Sequence, residues 1–383
     1  MIPSFEQYIT FWIIRIIVFI SFVATGFWIS KHGRFNRSFW LGVLPLIVIY
    51  TLAEGLRWNR GQDYNNYYLE ICGYMPRDSL EFVYSLWLSF IQNVGIPYWM
   101  VFLFYSFFLV FSFLYLIRRY PNNAYFTLPL FFILTAMQSE NLVRQYFSLS
   151  FIILAIAVFL DKRYLLAAFL LIISEGVHFS AAFPILLLLL CIILAKGYNP
   201  GKPILLVIIF CALYFFWDYS YFESITGPIL KLFPETGSKM DGYIQSDTWF
   251  VAEGSMSLKD SGITYLGRHI TTAIIQLPLY LFIVIGGFYA SKRKRELRFF
   301  YWCAYFALLL DITRGDIQSY LRFYHWMAFF ISIVVGTIYS ELHLWKSVKY
   351  LSLLLLFVYY VWGMMFTNMR LLEPWGYQFI WDR

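Results

Sequence analysis

Long apolar runs separated by short polar connections recur along the whole chain. Tyr8 to Ile29, Phe39 to Leu56, Tyr98 to Ile117, Tyr146 to Leu160, Phe179 to Ala195 and Thr264 to Ala290 are the clearest. Apolar runs of roughly 18–25 residues can cross the bilayer core as helices, which satisfy their own backbone groups. A membrane β-barrel would show short alternating segments instead. The pattern predicts an all-α polytopic integral membrane protein with about twelve transmembrane helices. No internal repeat and no low-complexity tract interrupts it, and residues 1–383 read as a single transmembrane domain.

One segment resists this reading. Asp78 to Val94, "DSLEFVYSLWLSFIQNV", is only moderately apolar. Asp78 followed by Glu81 has the spacing of a helix-starting capping box. Ser85, Ser89, Gln92 and Asn93 gather loosely on one side. We read an amphipathic helix in the outer interface, within an outer loop over 57–97. A short re-entrant or spanning helix is the alternative.

Composition agrees with the pattern. Of the 383 residues, 61% are hydrophobic and 13% are charged. Soluble domains carry about 25% charged residues. The net charge of +7 matters through its placement rather than as a sign of nucleic-acid binding. Basic clusters follow alternate runs: Lys31, Arg34 and Arg37; Arg118 and Arg119; Lys162 and Arg163; Lys196 and Lys202; Lys292 to Arg298; Lys346 and Lys349. Placing them in the cytoplasm obeys the positive-inside rule at every loop and puts both termini outside. This holds only if Asp78–Val94 does not span. Cys72, Cys191, Cys211 and Cys303 lack metal or disulfide spacing, and the first run is too long for a signal peptide.

Twelve basic residues then remain outside, nine of them arginines. Arginine's planar fork grips phosphate bidentately, whereas lysine is a point charge. Snorkelling to lipid phosphates is the plainer explanation for any single one. The large outer loop, 218–263, interleaves seven acidic residues with aromatic rings. That suits a carbohydrate, and it equally suits a structured lid without ligand.

Four polar groups fall near the outer boundary. They are Arg57, Arg60 and Asp63; Glu140, Arg144 and Gln145; Glu175 and His178; and Asp311, Arg314, Asp316, Arg322, Tyr324 and His325. Arg268 and His269 open the ninth span from the same side. Ionisable residues at this depth are costly unless paired or functional. The i, i+3 spacing of Glu175 and His178 would let a carboxylate orient an imidazole as a general base. No metal-ligand spacing, serine-nucleophile motif or glycine-rich phosphate loop occurs.

The order R-x-x-x-G-x-D-Y-x-x-Y, here Arg57, Gly61, Asp63, Tyr64 and Tyr67, resembles the EpsG family of Wzy-type polysaccharide (O-antigen) polymerases. Arg144-Gln145 opening a span, His178-Phe179-Ser180-Ala181 at a span junction, and Arg322 with Tyr324 are similar to its later hallmarks. Gln62 departs from the threonine often found there. The family implies a fold that resembles lipid-linked GT-C-like glycosyltransferases. It implies polymerisation of oligosaccharide repeat units carried on undecaprenyl pyrophosphate, at the periplasmic face of a bacterial inner membrane. The products would be O-antigen, capsule or exopolysaccharide. Expected partners are the lipid-linked donor and acceptor, membrane lipid and a polysaccharide chain-length regulator. No nucleic acid, cofactor or metal is expected.

On this resemblance, Arg144 and Arg322, then Arg57 and Arg268, hold the pyrophosphate. His178 tuned by Glu175, or Asp63, takes the acceptor proton. Arg60, Tyr64, Tyr67, Gln145, Tyr324 and His325 contact substrate. An inverting displacement follows if no covalent intermediate forms. An O-antigen ligase would use the same chemistry with another acceptor. A flippase or transporter would place charges at mid-membrane, where only Arg15 lies well inside a run.

Overall fold

The computed structural model describes residues 4–33, 36–61, 63–75, 80–197, 202–217, 262–294, 296–313, 318–362 and 377–381. They form two compact units, residues 1–186 with 360–383, and residues 187–359. Nearly all of the described chain is helical.

The first unit contains α1 (Phe5–His32), α2 (Asn36–Gly55), α3 (Tyr64–Cys72), α4 (Phe82–Val94), α5 (Tyr98–Ile117), α6 (Ala124–Asn141), α7 (Val143–Leu160) and α8 (Tyr164–Val177). Helix α1 starts with a reciprocal cap: the Ser4 hydroxyl accepts from Gln7 N–H, and the Gln7 side chain accepts from Ser4 N–H. It packs on α2 and α6, α2 packs on α5, and α5 and α8 flank α7. Ser148 of α7 and Ser174 of α8 clasp reciprocally, each hydroxyl donating to the other's carbonyl at 2.6 and 3.0 Å. Small polar residues of this kind let membrane helices approach closely and hydrogen-bond across the contact.

A two-stranded antiparallel ribbon completes this unit. Strand β1 (Arg57–Trp58) pairs with β2 (Gln378–Phe379), in the register Arg57 with Phe379 and Trp58 with Gln378. The Tyr377 hydroxyl donates to the Ala53 carbonyl at 2.5 Å. The C-terminal segment is thereby fastened to the end of α2.

The second unit holds α10 (Ile204–Phe216), α11 (Gly262–Arg293), α12 (Leu297–Thr313), α13 (Gln318–Met327), α14 (Phe329–Glu341) and α15 (Lys346–Leu356). Helix α9 (Ala182–Gly197) runs across the division between the units. Helix α14 packs against α11 and α12, and α10 contacts both. Asp311 accepts hydrogen bonds from the hydroxyls of Tyr280 and Tyr359, and Gln276 joins Tyr359 to Tyr214.

Six helical stretches are long and apolar enough to cross a membrane: Phe5–His32, Asn36–Gly55, Tyr98–Ile117, Val143–Leu160, Phe179–Gly197 and Ile274–Arg293. Three shorter apolar helices accompany them among the described residues.

The segment after α2, read from the sequence as an outer loop with one amphipathic helix, holds two helices. Helix α3 occupies its middle and closes on Gly73 at φ +80°. Helix α4 begins at Phe82 with Glu81 as its N-cap and no side-chain cap bond. The expected start at Asp78 lies three residues earlier, and Asp78 is outside the described residues. Glu81 turns instead to tertiary partners. At 13 residues, α4 is about 20 Å long, short of the ~30 Å bilayer core. Phe82, Leu86, Phe90 and Val94, spaced by four, form its exposed face, while Tyr84, Leu88 and Ile91 are buried. Gln92 points inward and donates to the Glu70 and Ile71 carbonyls at 3.0 and 3.1 Å. The outward face is therefore the apolar one.

At the other ends of α5 and α7, Arg118 and Arg119 both bind Asp161. Burial pulls the Asp161 carboxyl up, but the Arg119 hydrogen bond and the two guanidinium charges outweigh it and hold the group below its ordinary value.

Candidate functional site

The motif after α2 folds inward. Arg57 is 3% exposed, and its Nη1 donates to the Glu54 carbonyl. Arg60 is fully buried, donates from Nε to Glu140 Oε2 at 2.8 Å, and lies over the Phe11 ring. Arg15 of α1 bridges the two carboxylates, 2.7 Å from Glu54 Oε1 and also bonded to Glu140. Three guanidiniums thus meet two acidic side chains in the interior. Buried charges persist only when paired and hydrogen-bonded in this way.

Gly61 makes the turn possible. Its φ is +103°, and a Cβ there would stand 2.6 Å from the Glu140 carbonyl oxygen. Tyr64 stacks on Phe102 with centroids 4.9 Å apart and donates to the Arg57 carbonyl at 3.1 Å. Asp63 is the half-buried N-cap of α3, and its side chain makes no cap bond. Tyr67 is half-buried on the same helix.

A second cluster forms around the start of α7. Arg144 Nη1 lies 3.0 Å from Glu81 Oε2, with 18% of the arginine side chain exposed. The pair is close but off the hydrogen-bond axis, so Arg144 Nε and Nη1 have no hydrogen-bond acceptor within the protein. The guanidinium stands over the Tyr84 ring at 5.3 Å, and the Tyr84 hydroxyl donates to Glu70 at 3.2 Å. Glu81 Oε1 accepts the backbone N–H of Phe179 at 3.2 Å. One carboxylate therefore joins the arginine that opens α7 to the junction that carries His178. Gly176 permits the approach: a Cβ there would meet Val83 of α4 at 2.3 Å.

His178 lies just past α8 in extended backbone, φ −151° and ψ 110°. Its Nδ1 accepts from Ser180 N at 3.3 Å and lies 3.0 Å from the Ser180 hydroxyl. Glu175 is exposed and does not reach it. The helical i, i+3 pairing fails because α8 ends at Val177, one residue too soon. Gln145 is buried within α7.

The remaining candidates belong to the second unit. Arg322 is half-buried on α13, and Tyr324 and His325 are buried there. Arg268 falls on α11, with its side chain outside the described residues, as are Arg314, Asp316 and the large loop over 218–261.

The structure thus brings Arg144, Glu81 and the His178 turn together in one cluster, and Arg57 and Arg60 with Arg15, Glu54 and Glu140 in another. Glu54 and Glu81 did not stand out as site residues in the sequence. Glu54 ends an apolar run, and Glu81 has the spacing of a capping residue. No group of three or more potential metal ligands occurs among the described residues.

No curated protein and no solved structure matches this chain. A family model described as the EpsG family matches residues 39–379, which include β1, the starts of α3 and α7, the His178 turn and β2. The chain belongs to the EpsG family.

Proposed function

We propose that this protein is a polysaccharide polymerase that joins oligosaccharide repeat units carried on a polyprenyl diphosphate, undecaprenyl pyrophosphate, at the periplasmic face of a bacterial inner membrane. Family membership over residues 39–379 carries this reading. The cluster at the start of α7 supplies its chemistry.

In such a transfer the acceptor hydroxyl oxygen forms a bond to the donor's anomeric carbon. The bond from that carbon to the diphosphate oxygen breaks. The acceptor proton passes to a base, and the lipid diphosphate leaves with an added negative charge. Arg144, with Nε and Nη1 lacking hydrogen-bond acceptors inside the protein, is suited to hold that diphosphate. His178 and Asp63 remain candidates for the base, and Glu81 joins them through its place between Arg144 and Phe179. Arg57 and Arg60 act as positioning residues, since both guanidiniums are enclosed by carboxylates and backbone carbonyls. Arg322 and Arg268 stand as further candidate cations for the diphosphate.

The test is chain growth on purified lipid-linked repeat units. Wild-type protein should build a ladder on the carrier, and Arg144→Gln should not. A ladder unchanged by Arg144→Gln, Asp63→Asn and His178→Ala together would overturn the site. Transfer of a finished glycan to a second acceptor, with no ladder, would identify a ligase instead.

A further inference from the structure

Between α2, α5 and α7 lies a small cavity of about 20 Å³, lined by Tyr50, Glu54, Arg57, Ser139 and Tyr146 and closed by aromatic rings of α5 and α7. Three of these residues each carry a deeply buried polar atom with no hydrogen-bond partner within the protein: Glu54 Oε2, Arg57 Nε and Tyr146 Oη. Their residues are 4%, 3% and 2% exposed. Leaving even one such atom unsatisfied in the interior costs about 1–3 kcal/mol. Three around one cavity signal a ligand.

The ligand's chemistry follows from the groups and the space. Arg57 Nε–H only donates, the Glu54 Oε2 oxygen can accept, and a phenol does both. A ligand that satisfies all three must accept and donate from a single centre. A cavity holding a water needs roughly 10–15 Å³ and two to four polar partners; this one has the volume and is lined by three residues that carry unpartnered polar atoms. A sugar ring does not fit. A bare anion is opposed by the Glu54 carboxylate and a bare cation by the Arg57 guanidinium.

We propose that Glu54, Arg57 and Tyr146 form a binding site for one internal water molecule. The water accepts from Arg57 Nε–H, donates to Glu54 Oε2 and exchanges its third bond with Tyr146 Oη. It ties the strand that carries Arg57 to α7, two residues beyond Arg144. The site is independent of the catalytic reading above.

Tyr146→Phe tests the proposal by sign. With water bound, the variant deprives it of a partner, and the unfolding midpoint of the purified full-length protein falls by roughly 2–4 °C. With a dry cavity, the variant removes an unsatisfied hydroxyl, and the midpoint holds or rises, which would overturn the proposal. Thr127→Val serves as the reference. Thr127 Oγ1 is also buried without a partner in the protein, but Thr127 does not line this cavity. Its midpoint should hold or rise, and an equal fall in both variants counts against the site. A wild-type cryo-EM map that resolves waters needs no variant. It should show a peak within hydrogen-bond distance of all three atoms, and a map without one rejects the proposal.

Discussion

Glu81 stands 3.0 Å from Arg144 with one carboxylate oxygen and takes the Phe179 N–H at 3.2 Å with the other. Two motifs that lie 34 positions apart, at Arg144 and His178 (178 − 144), thereby share one anchor. Arg144→Gln should lower chain growth about 100-fold or more, the scale of losing one preorganised donor. Glu81→Gln keeps an acceptor for Phe179 but loses the charge facing Arg144. It should cost about tenfold, or about 1.4 kcal/mol in the barrier. Ladder assays at matched amounts of folded protein check the order. Glu81→Gln without effect removes Glu81 from the site.

Glu140 binds both Arg15 and Arg60. Glu140→Gln leaves two buried guanidiniums short of counter-charge and should destabilise the protein by about 3–5 kcal/mol. Glu175→Gln, on an exposed carboxylate, should stay within about 0.5 kcal/mol. Thermal unfolding of the two variants in one detergent compares them directly.

Gly61 and Gly95 both have positive φ, +103° and +74°, but only Gly61 faces backbone. Gly95→Ala should show the left-handed backbone term alone, about 1–2 kcal/mol. Gly61→Ala adds the clash with the Glu140 carbonyl and should fall clearly further. Equal unfolding midpoints for the two would show that the turn at Gly61 yields.

Asp161 has a depressed folded-state value, so its ionised form favours the folded protein. The contribution is present above the ordinary aspartate value near 4 and is lost as pH falls through the lower folded value. Below neutral pH, the stability gap between wild type and Asp161→Asn should narrow as the solution turns acid. A gap that widens on acidification contradicts the pairing with Arg118 and Arg119.

The helical, membrane-type character was legible because an apolar run of sufficient length needs no partner to declare itself. Among the described residues, six helices are long and apolar enough to cross a membrane, against the roughly twelve expected. Local spacing misled where it assumed a helix to act on. Glu175 and His178 lie one turn apart only if α8 continues, and it stops at Val177. Asp78 and Glu81 have capping-box spacing, yet α4 starts only at Phe82, and Glu81 is taken up by Arg144 and Phe179. The carboxylate partners of Arg15 lie 39 and 125 positions away, and β2 answers β1 from the far end of the chain. Nothing near Arg57 announces that Phe379 will pair with it.

The place of Arg15 has a consequence for biosynthesis. Helix α1 leaves the ribosome carrying a cation about a third of the way along an apolar segment, and an arginine near the centre of a span opposes insertion by about 2.5–3.5 kcal/mol. Glu54 arrives 39 residues later, and Glu140 only after 125. At about 5–20 residues per second, the second partner is roughly 6–25 s behind. For that interval the Arg15 guanidinium has as its carboxylate partner only Glu54, which Arg57 also approaches. Chains truncated between Glu54 and Glu140 would keep only that shared partner for Arg15.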